Sequence, residues 1–557
     1  MTCLLYMPLA RPHTSVMGPE SEIAALLTPL RDDLGYRRIE QGIRRLDRVR
    51  PAIEALLPES HSSGVLLGLV AQWVDAGFDS PELLGRLLAK FPPATRSALP
   101  LLDYLHLRMA EGVLAMSREE FEQATAHFQF VQSLDQEVND TELLAIANFW
   151  AGRCLRKMGR YDDALNYTER GEELALSCGY IQMAAVMQSA KSWLAFQKGK
   201  LHEAVAILRR AEEALSHTDD YLSRGNVQSA YGRIARRQGR YERALECFER
   251  AIAEYRLGGR GQLQLARALL NLGFVKRLLA LQIQREFDQV SASRRSARDE
   301  AVPSPGLSRE QRLQIERIRG EARAHLEESM AIYAGHRNHR GIAGVHINSG
   351  FLHLDSGDLE CAALEAAEAF RHGDEKSDHI IMARARTLQC IMENAALEEQ
   401  VGDPVRHHEA AETFAREAVD YAGHTQNHRL LARAYVWQGL TLAAEPNADL
   451  EAARRCCEEA MALLQPEGLE RQYVWDDLET LKTRVLHARS VDPTLRAWSA
   501  GAVGDRTFQQ LTEEFARLVI PKVWEREGRK VSRVAEKLSM SPKKVRRILQ
   551  AVGLHKE

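Results

Sequence analysis

Between Tyr231 and Tyr255 the chain reads YGRIARRQGRYERALECFERAIAEY, and this stretch decides the fold. Its small and apolar residues fall at helical spacing on either side of the turn RQGRY, as two antiparallel helices packed face to face require. The same layout recurs outward from it. Gly112, Gly152, Ser192 and Gly232 are forty residues apart, and so are Phe121, Tyr161, Leu201 and Tyr241, and Ala124, Ala164, Ala204 and Ala244. Each unit is one helix holding the small residue, a turn such as KMGRYDDAL or FQKGKLHEAV, and a second helix with alanine at the close-packing position. Small residues let the two helices approach, while Phe128, Leu208 and Phe248, four residues after those alanines, fill the seam with the next unit.

The pattern resembles the tetratricopeptide repeat, with a period longer than that family's usual ~34 residues. Further units are legible at Leu272 and Gly273, at Gly350 with Gly357, Leu359, Ala362 and Ala369, and at Gly439 with Ala453 and Ala460. Segments Ala411–Ala422 and Pro81–Phe91 fit less clearly. The expected fold is all-α: eight or nine helical hairpins over residues 21–490, wound into a superhelical solenoid, after an irregular N-terminus at 1–20. One interruption is expected at about 286–311, where SASRRSARDEAVPSPGLSRE is too polar to offset the entropy of ordering. It reads as a mobile insertion between two helices of one repeat.

A different signal closes the chain. From Val519 to Leu554 it reads VIPKVWEREGRKVSRVAEKLSMSPKKVRRILQAVGL. Val531, Val534 and Leu538 share one helical face around the small Ala535, Met540 can plug the turn, and Ser541 with Pro542 can open a second helix. There Val545, Ile548 and Leu549 face inward, leaving Lys543, Lys544, Arg546, Arg547 and Gln550 outward, as a helix laid in a major groove requires. Residues 521–557 carry net charge +7 within a chain of −3, so about −10 falls on the rest. Positive potential is concentrated where phosphates would be met.

This end resembles the C-terminal domain of the factor for inversion stimulation and of bacterial enhancer-binding activators, over about fifty residues that close near Gly553. The resemblance implies a DNA-binding domain at 507–557 after a linker at 491–506. It further implies that Lys530 and Ser532 touch phosphates, that Ser541, Lys544, Arg547 and Gln550 face the groove, and that the preceding helix, with Leu511, Phe515, Leu518, Val519, Val523 and Trp524, makes a homodimer. Two departures stand out. Ser539 occupies a position where the family often has glycine, and Pro542 replaces a long polar residue, so sequence preference is not inherited.

No chemistry for catalysis is evident, since a phosphate-binding loop and a GxSxG motif are lacking and HEAAE at His408 lacks the second histidine of a zinc helix. The expectation is no enzyme, no cofactor and no metal. His336, His339 and His346 are read as two residues of an inter-helix turn and one of the following helix. The eight cysteines lack CxxC spacing, and MTCLLYMPLARPHTSVMG lacks a cationic lead and a long apolar core, so a cytoplasmic protein with reduced thiols is expected.

Projecting the repeat register places Arg153, Arg156, Arg233, Arg236 and Arg237 on the concave groove, with Trp193 and Phe196 between them. Such a groove suits an extended peptide with acidic and apolar side chains. The reading is a DNA-binding transcription regulator that senses a protein or peptide through its solenoid. Two alternatives stand beside it: a scaffold or adaptor whose basic tail docks onto protein, and an architectural DNA-binding subunit of a larger complex.

Overall fold

The computed structural model describes residues 19–60, 62–137, 139–296, 308–444, 448–464, 473–490 and 507–554. These hold 25 helices and no strand. An N-terminal group comprises α1 (Pro19–Gly35), α2 (Ile39–Glu54), α3 (Ser63–Asp75), α4 (Pro81–Leu88) and the short α5 (Pro93–Arg96), of which the first four supply a core that includes the fully buried Trp73.

Eight antiparallel hairpins follow. They pair α6 (Leu101–Ser117) with α7 (Phe121–Gln132), α8 (Thr141–Lys157) with α9 (Tyr161–Ser177), α10 (Ile181–Gln197) with α11 (Leu201–Leu215), and α12 (Tyr221–Arg237) with α13 (Tyr241–Gly258). The array continues with α14 (Gln262–Ser296) on α15 (Arg309–Gly335), α16 (His339–Asp355) on α17 (Leu359–Asp374), α18 (His379–Glu398) on α19 (Pro404–Gly423), and α20 (His428–Leu442) on α21 (Leu450–Leu464). The helix α22 (Tyr473–Ser490) packs on the last hairpin, and α23 (Phe508–Arg526), α24 (Val531–Lys537) and α25 (Pro542–Ala551) form a separate small core. No helix among the described residues is long and apolar enough to cross a membrane.

Close approach within each hairpin rests on the small residues. A Cβ placed on Gly112 would sit 2.4 Å from the ring of Phe128, and one on Gly232 would sit 2.9 Å from that of Phe248. Ala124, Ala164, Ala204 and Ala244 on the partner helices are all 0% exposed. The turns repeat as well: Glu119, Gly159, Gly199 and Gly239 hold the same left-handed conformation, with φ of +62°, +82°, +79° and +73°. Five of the eight first helices open on side-chain caps, with Asp140, Asp220, Asn338, Asp378 and Asn427 accepting from backbone N–H groups, each contributing about 1 kcal/mol.

The expected insertion is narrower than its composition suggests. Helix α14 runs through 286–296 to a length of 35 residues, and α15 opens on a capping box between Ser308 and Gln311. Polar composition argues against burial, but extending an existing helix fixes one residue per hydrogen bond and needs no buried face. Residues 297–307, 491–506, 555–557 and 1–18 lie outside the described set. The forty-residue register holds from Leu101 to the end of α13; the first five helices do not follow it, and the later hairpins keep the architecture with other spacings.

First helices of successive hairpins pack side by side from α6 to α20, forming the inner wall of the superhelix. Successive turns of the superhelix then touch. Glu119, the one non-glycine among the four turn residues above, accepts at 2.9 Å from the backbone N–H of His339 and at 3.0 Å from Asn338. Gln426 N–H donates to the Gly159 carbonyl at 2.9 Å, and Asn427 donates to the Tyr161 hydroxyl at 3.2 Å. Nearer the N-terminus, Arg37 pairs with Asp220 at 2.7 Å and Arg260 pairs with Glu40.

Glycine-to-alanine changes separate packing from helix propensity by sign. Gly320→Ala, at an exposed position in α15 with no atom within 4 Å of the new Cβ, is expected to stabilise by about 0.5–1 kcal/mol. Gly112→Ala gains the same propensity but must displace Phe128, and is expected to destabilise by about 1–3 kcal/mol. Denaturant melts of both variants check this, and a stabilised Gly112→Ala would remove close approach as the basis of the hairpin.

Candidate functional site

Two surfaces concentrate cations. In the C-terminal unit the core is Ile520, Val534, Ala535, Val545, Ile548 and Leu549, with Met540, Leu538 and Trp524 packed at its edge. Thr507 and Gln510 cap the start of α23 reciprocally, and the Ser541 hydroxyl accepts from Lys544 N–H at 3.3 Å at the start of α25. That hydroxyl is therefore spent on the helix terminus. Between α24 and α25 the chain turns through Ser539 at φ +49°, so a serine takes the conformation that glycine adopts at least cost.

With three apolar residues of α25 held in the core, Lys543, Lys544, Arg546, Arg547 and Gln550 are all exposed, as are Lys530 and Ser532 at the start of α24. Of the other cations on this unit, Lys537 is paired with Glu527 and Arg529 lies 5.7 Å over the Trp524 ring. The N-terminal half of α23 buries little: Phe508 is 85% and Phe515 49% exposed.

The second surface is the superhelix lumen, and it divides the seven residues projected onto it. Arg153 is held by Asp75 of α3, which also accepts from the Trp150 indole at 3.1 Å. Phe196 and Arg237 are buried together, the guanidinium 3.7 Å above the ring and donating to the Phe196 carbonyl. Both serve packing instead of a groove, because the repeat register fixes which helix is inward but not how far each side chain reaches. Arg236 donates to Asn271 at 2.8 Å and covers Phe274.

Arg156 and Arg233 stand differently. The first lies 4.9 Å over the Trp193 ring, which meets Tyr161 edge-on at 5.3 Å, and the second donates to the Ser229 hydroxyl at 3.4 Å. The Nε of each is buried without a partner. Lys157 and Arg267, which the sequence reading missed, complete the group, and Tyr333 hydrogen-bonds Arg267. Among the described residues no carboxylate lies within ion-pair distance of Arg156, Lys157, Arg233 or Arg267. The nearby Arg340 is paired with Asp378 at 2.5 Å and also donates to the Lys157 carbonyl.

These four cations are enclosed by protein while water still reaches them. Burial, and then the charges of neighbouring arginines, lower Arg156 and Arg233 to about 9, and lower Lys157 well below its usual value. Arg267 escaped the sequence reading because α14 breaks the forty-residue register, and Lys157 because it lies at the very end of its helix. Concentrated positive charge with few counterions favours an anion in the lumen.

The tetratricopeptide-repeat family matches residues 183–256 and 223–282. Among solved structures, a Rap protein complexed with Competence and Sporulation Factor has a TM-score of 0.50 at 13% identity, over 73% of this chain and 98% of that one. Human IFIT1 dimer with m7Gppp-AAAA gives 0.46 at 14% identity, over 86% and 97%. The Rap conjugation gene regulator of plasmid pLS20 with the Phr* peptide gives 0.44 at 12%, over 73% and 97%. No curated protein matches the chain. The fold is thus an all-α, tetratricopeptide-like solenoid.

An uncompensated inward cation should cost stability. Arg233→Met, which keeps the aliphatic volume, is expected to stabilise the fold by about 1 kcal/mol after allowing for solvent screening. Thermal melts at low salt check this, and a clear loss of stability would mean that Arg233 already has the counterion the lumen is argued to lack.

Proposed function

We propose that the chain is a DNA-binding regulator: the C-terminal three-helix unit is a helix-turn-helix of the inversion-stimulation-factor type that reads duplex DNA, and the solenoid receives an anionic peptide or protein segment. The observation that carries this reading is the sorting of α25, which keeps Val545, Ile548 and Leu549 buried while exposing every one of its four Lys and Arg residues. A helix with one apolar face and one cationic face, preceded by a tight turn and a short supporting helix, matches the docking geometry of a recognition helix. Lys543, Lys544, Arg546, Arg547 and Gln550 would meet the groove and its phosphates, with Lys530 and Ser532 on the backbone alongside.

A single unit of this size reads a short half-site, so pairing two copies gives useful affinity. The exposed Phe508 and Phe515 on α23 supply an apolar face for that dimer. In the solenoid, Arg156 and Arg233 with Trp193 offer cations and an aromatic surface to acidic and apolar side chains. A fold of this kind holding a partner has a precedent in the Rap protein with its Competence and Sporulation Factor. Differential binding of the segment to solenoid states that space two DNA modules differently would couple the two ends.

The test is duplex binding by the full-length protein across a salt series. Neutralising Lys544 and Arg547 to alanine is expected to weaken binding roughly tenfold or more near 0.1 M salt and to flatten the log–log salt slope by up to about 2. Reversing Arg156 and Arg233 to glutamate should leave DNA affinity intact while abolishing capture of an acidic peptide. Undiminished DNA affinity in the first variant removes the DNA reading and leaves the adaptor alternative.

A further inference from the structure

Helices α16 and α17 bring together four side chains that the DNA and peptide reading does not use. His339 is the first residue of α16 instead of part of the preceding turn, and His346 follows seven residues later on the same helix. His336, by contrast, is the C-cap residue of α15 and lies outside the group. The partner invisible to sequence spacing is His372 near the end of α17, with Glu375 capping that helix.

The Nδ1 atoms of His339 and His372 are 3.4 Å apart. Glu375 Oε2 lies 3.3 Å from the first and 3.8 Å from the second. Ligand atoms bonded at about 2.0–2.1 Å in a tetrahedron are separated by about 3.3–3.4 Å, so this triangle has nearly the edges of one tetrahedral face. The remaining carboxylate oxygen, Glu375 Oε1, accepts from Arg371, which orients the ligand from outside. His346 stacks on His372 at 5.8 Å with planes 15° apart and binds Glu365 at 2.6 Å, fixing the far side of the His372 ring.

We propose that His339, His372 and Glu375 bind a divalent zinc-class cation, with the fourth position open to solvent. Two imidazoles and one carboxylate suit zinc in both ligand hardness and geometry. Arg371 Nη2 lies 3.2 Å from His372 Nε2 and 2.7 Å from Glu368, so on metal binding it releases the imidazole, whose proton moves to Nε2, and keeps its carboxylate. The ion would tie the first residue of α16 to the end of α17. It would do so beside the contact in which Glu119, a full superhelical turn away, accepts from His339 N–H.

The experiment is titration of the full-length, chelator-stripped protein with Zn2+ by calorimetry and with Co2+ by visible absorption. Saturable Zn2+ binding and the absorption of four-coordinate cobalt are expected, with a Zn2+-dependent rise in Tm. Both His372→Ala and His339→Ala should weaken binding at least about tenfold and cancel the rise in Tm. Melts in chelator establish that each variant folds. His353→Ala, at the separate His353, Asp358 and Cys361 cluster, should change neither. Absence of saturable binding, or binding that survives both substitutions or disappears in His353→Ala, overturns the proposal.

Discussion

The distance between the two helices of a hairpin is the constraint on which the molecule depends. It is set where a residue with almost no side chain faces a bulky one. A Cβ on Gly152 would lie 2.7 Å from the Thr168 hydroxyl, one on Gly273 3.1 Å from Leu326, and one on Gly439 3.2 Å from Cys456. Repeating that approach at fixed spacing gives each hairpin the same rotation relative to the last, and a constant rotation is what makes a superhelix. The lumen and the contacts between turns are consequences of this local packing rule.

Those inter-turn contacts are polar, in contrast to the hairpin seams. Glu119 at the start of α16, Gln426 at Gly159, and Arg260 at Glu40 join surfaces that are solvated when the turns separate. Half-buried polar contacts of this type contribute about 1 kcal/mol each. The superhelix is consequently held far more weakly between turns than within hairpins, so its pitch is the coordinate a ligand in the lumen can change most cheaply. Inward cations lower that cost further, because an anion that relieves their repulsion acts at the seam where Arg340 of one turn donates to the Lys157 carbonyl of another.

What the sequence disclosed follows from what repeats in it. Gly112 to Gly232, and the alanines that face them, answer to packing inside one hairpin and recur every forty residues, so hairpins, turns and the all-α class were legible. The turn at Ser539 and the sorting of α25 were legible for the same reason, being local. Contacts such as Arg37 with Asp220 pair residues with no periodic relation, and nothing in a linear pattern marks them. Arg153 was misplaced because its partner, Asp75, belongs to the N-terminal helices outside the repeat. His372 was passed over because it lies 33 residues from His339 on another helix, and only antiparallel packing brings them together.

Charge is partitioned by curvature as well as along the chain. Residues outside the final segment sum to about −10, yet the lumen gathers Arg156, Lys157, Arg233 and Arg267, so the excess acidic charge falls on the other residues outside that segment. Net negative charge repels duplex DNA, whose phosphates are attracted only where cations are exposed. The lumen cations are enclosed by protein, whereas those of α25 are exposed. In the proposed reading a duplex would meet the exposed cations of α25, while an anionic peptide would be drawn to the enclosed ones. The two proposed ligands would then be sorted by the exposure of sites of the same sign, without either site needing specificity for charge alone.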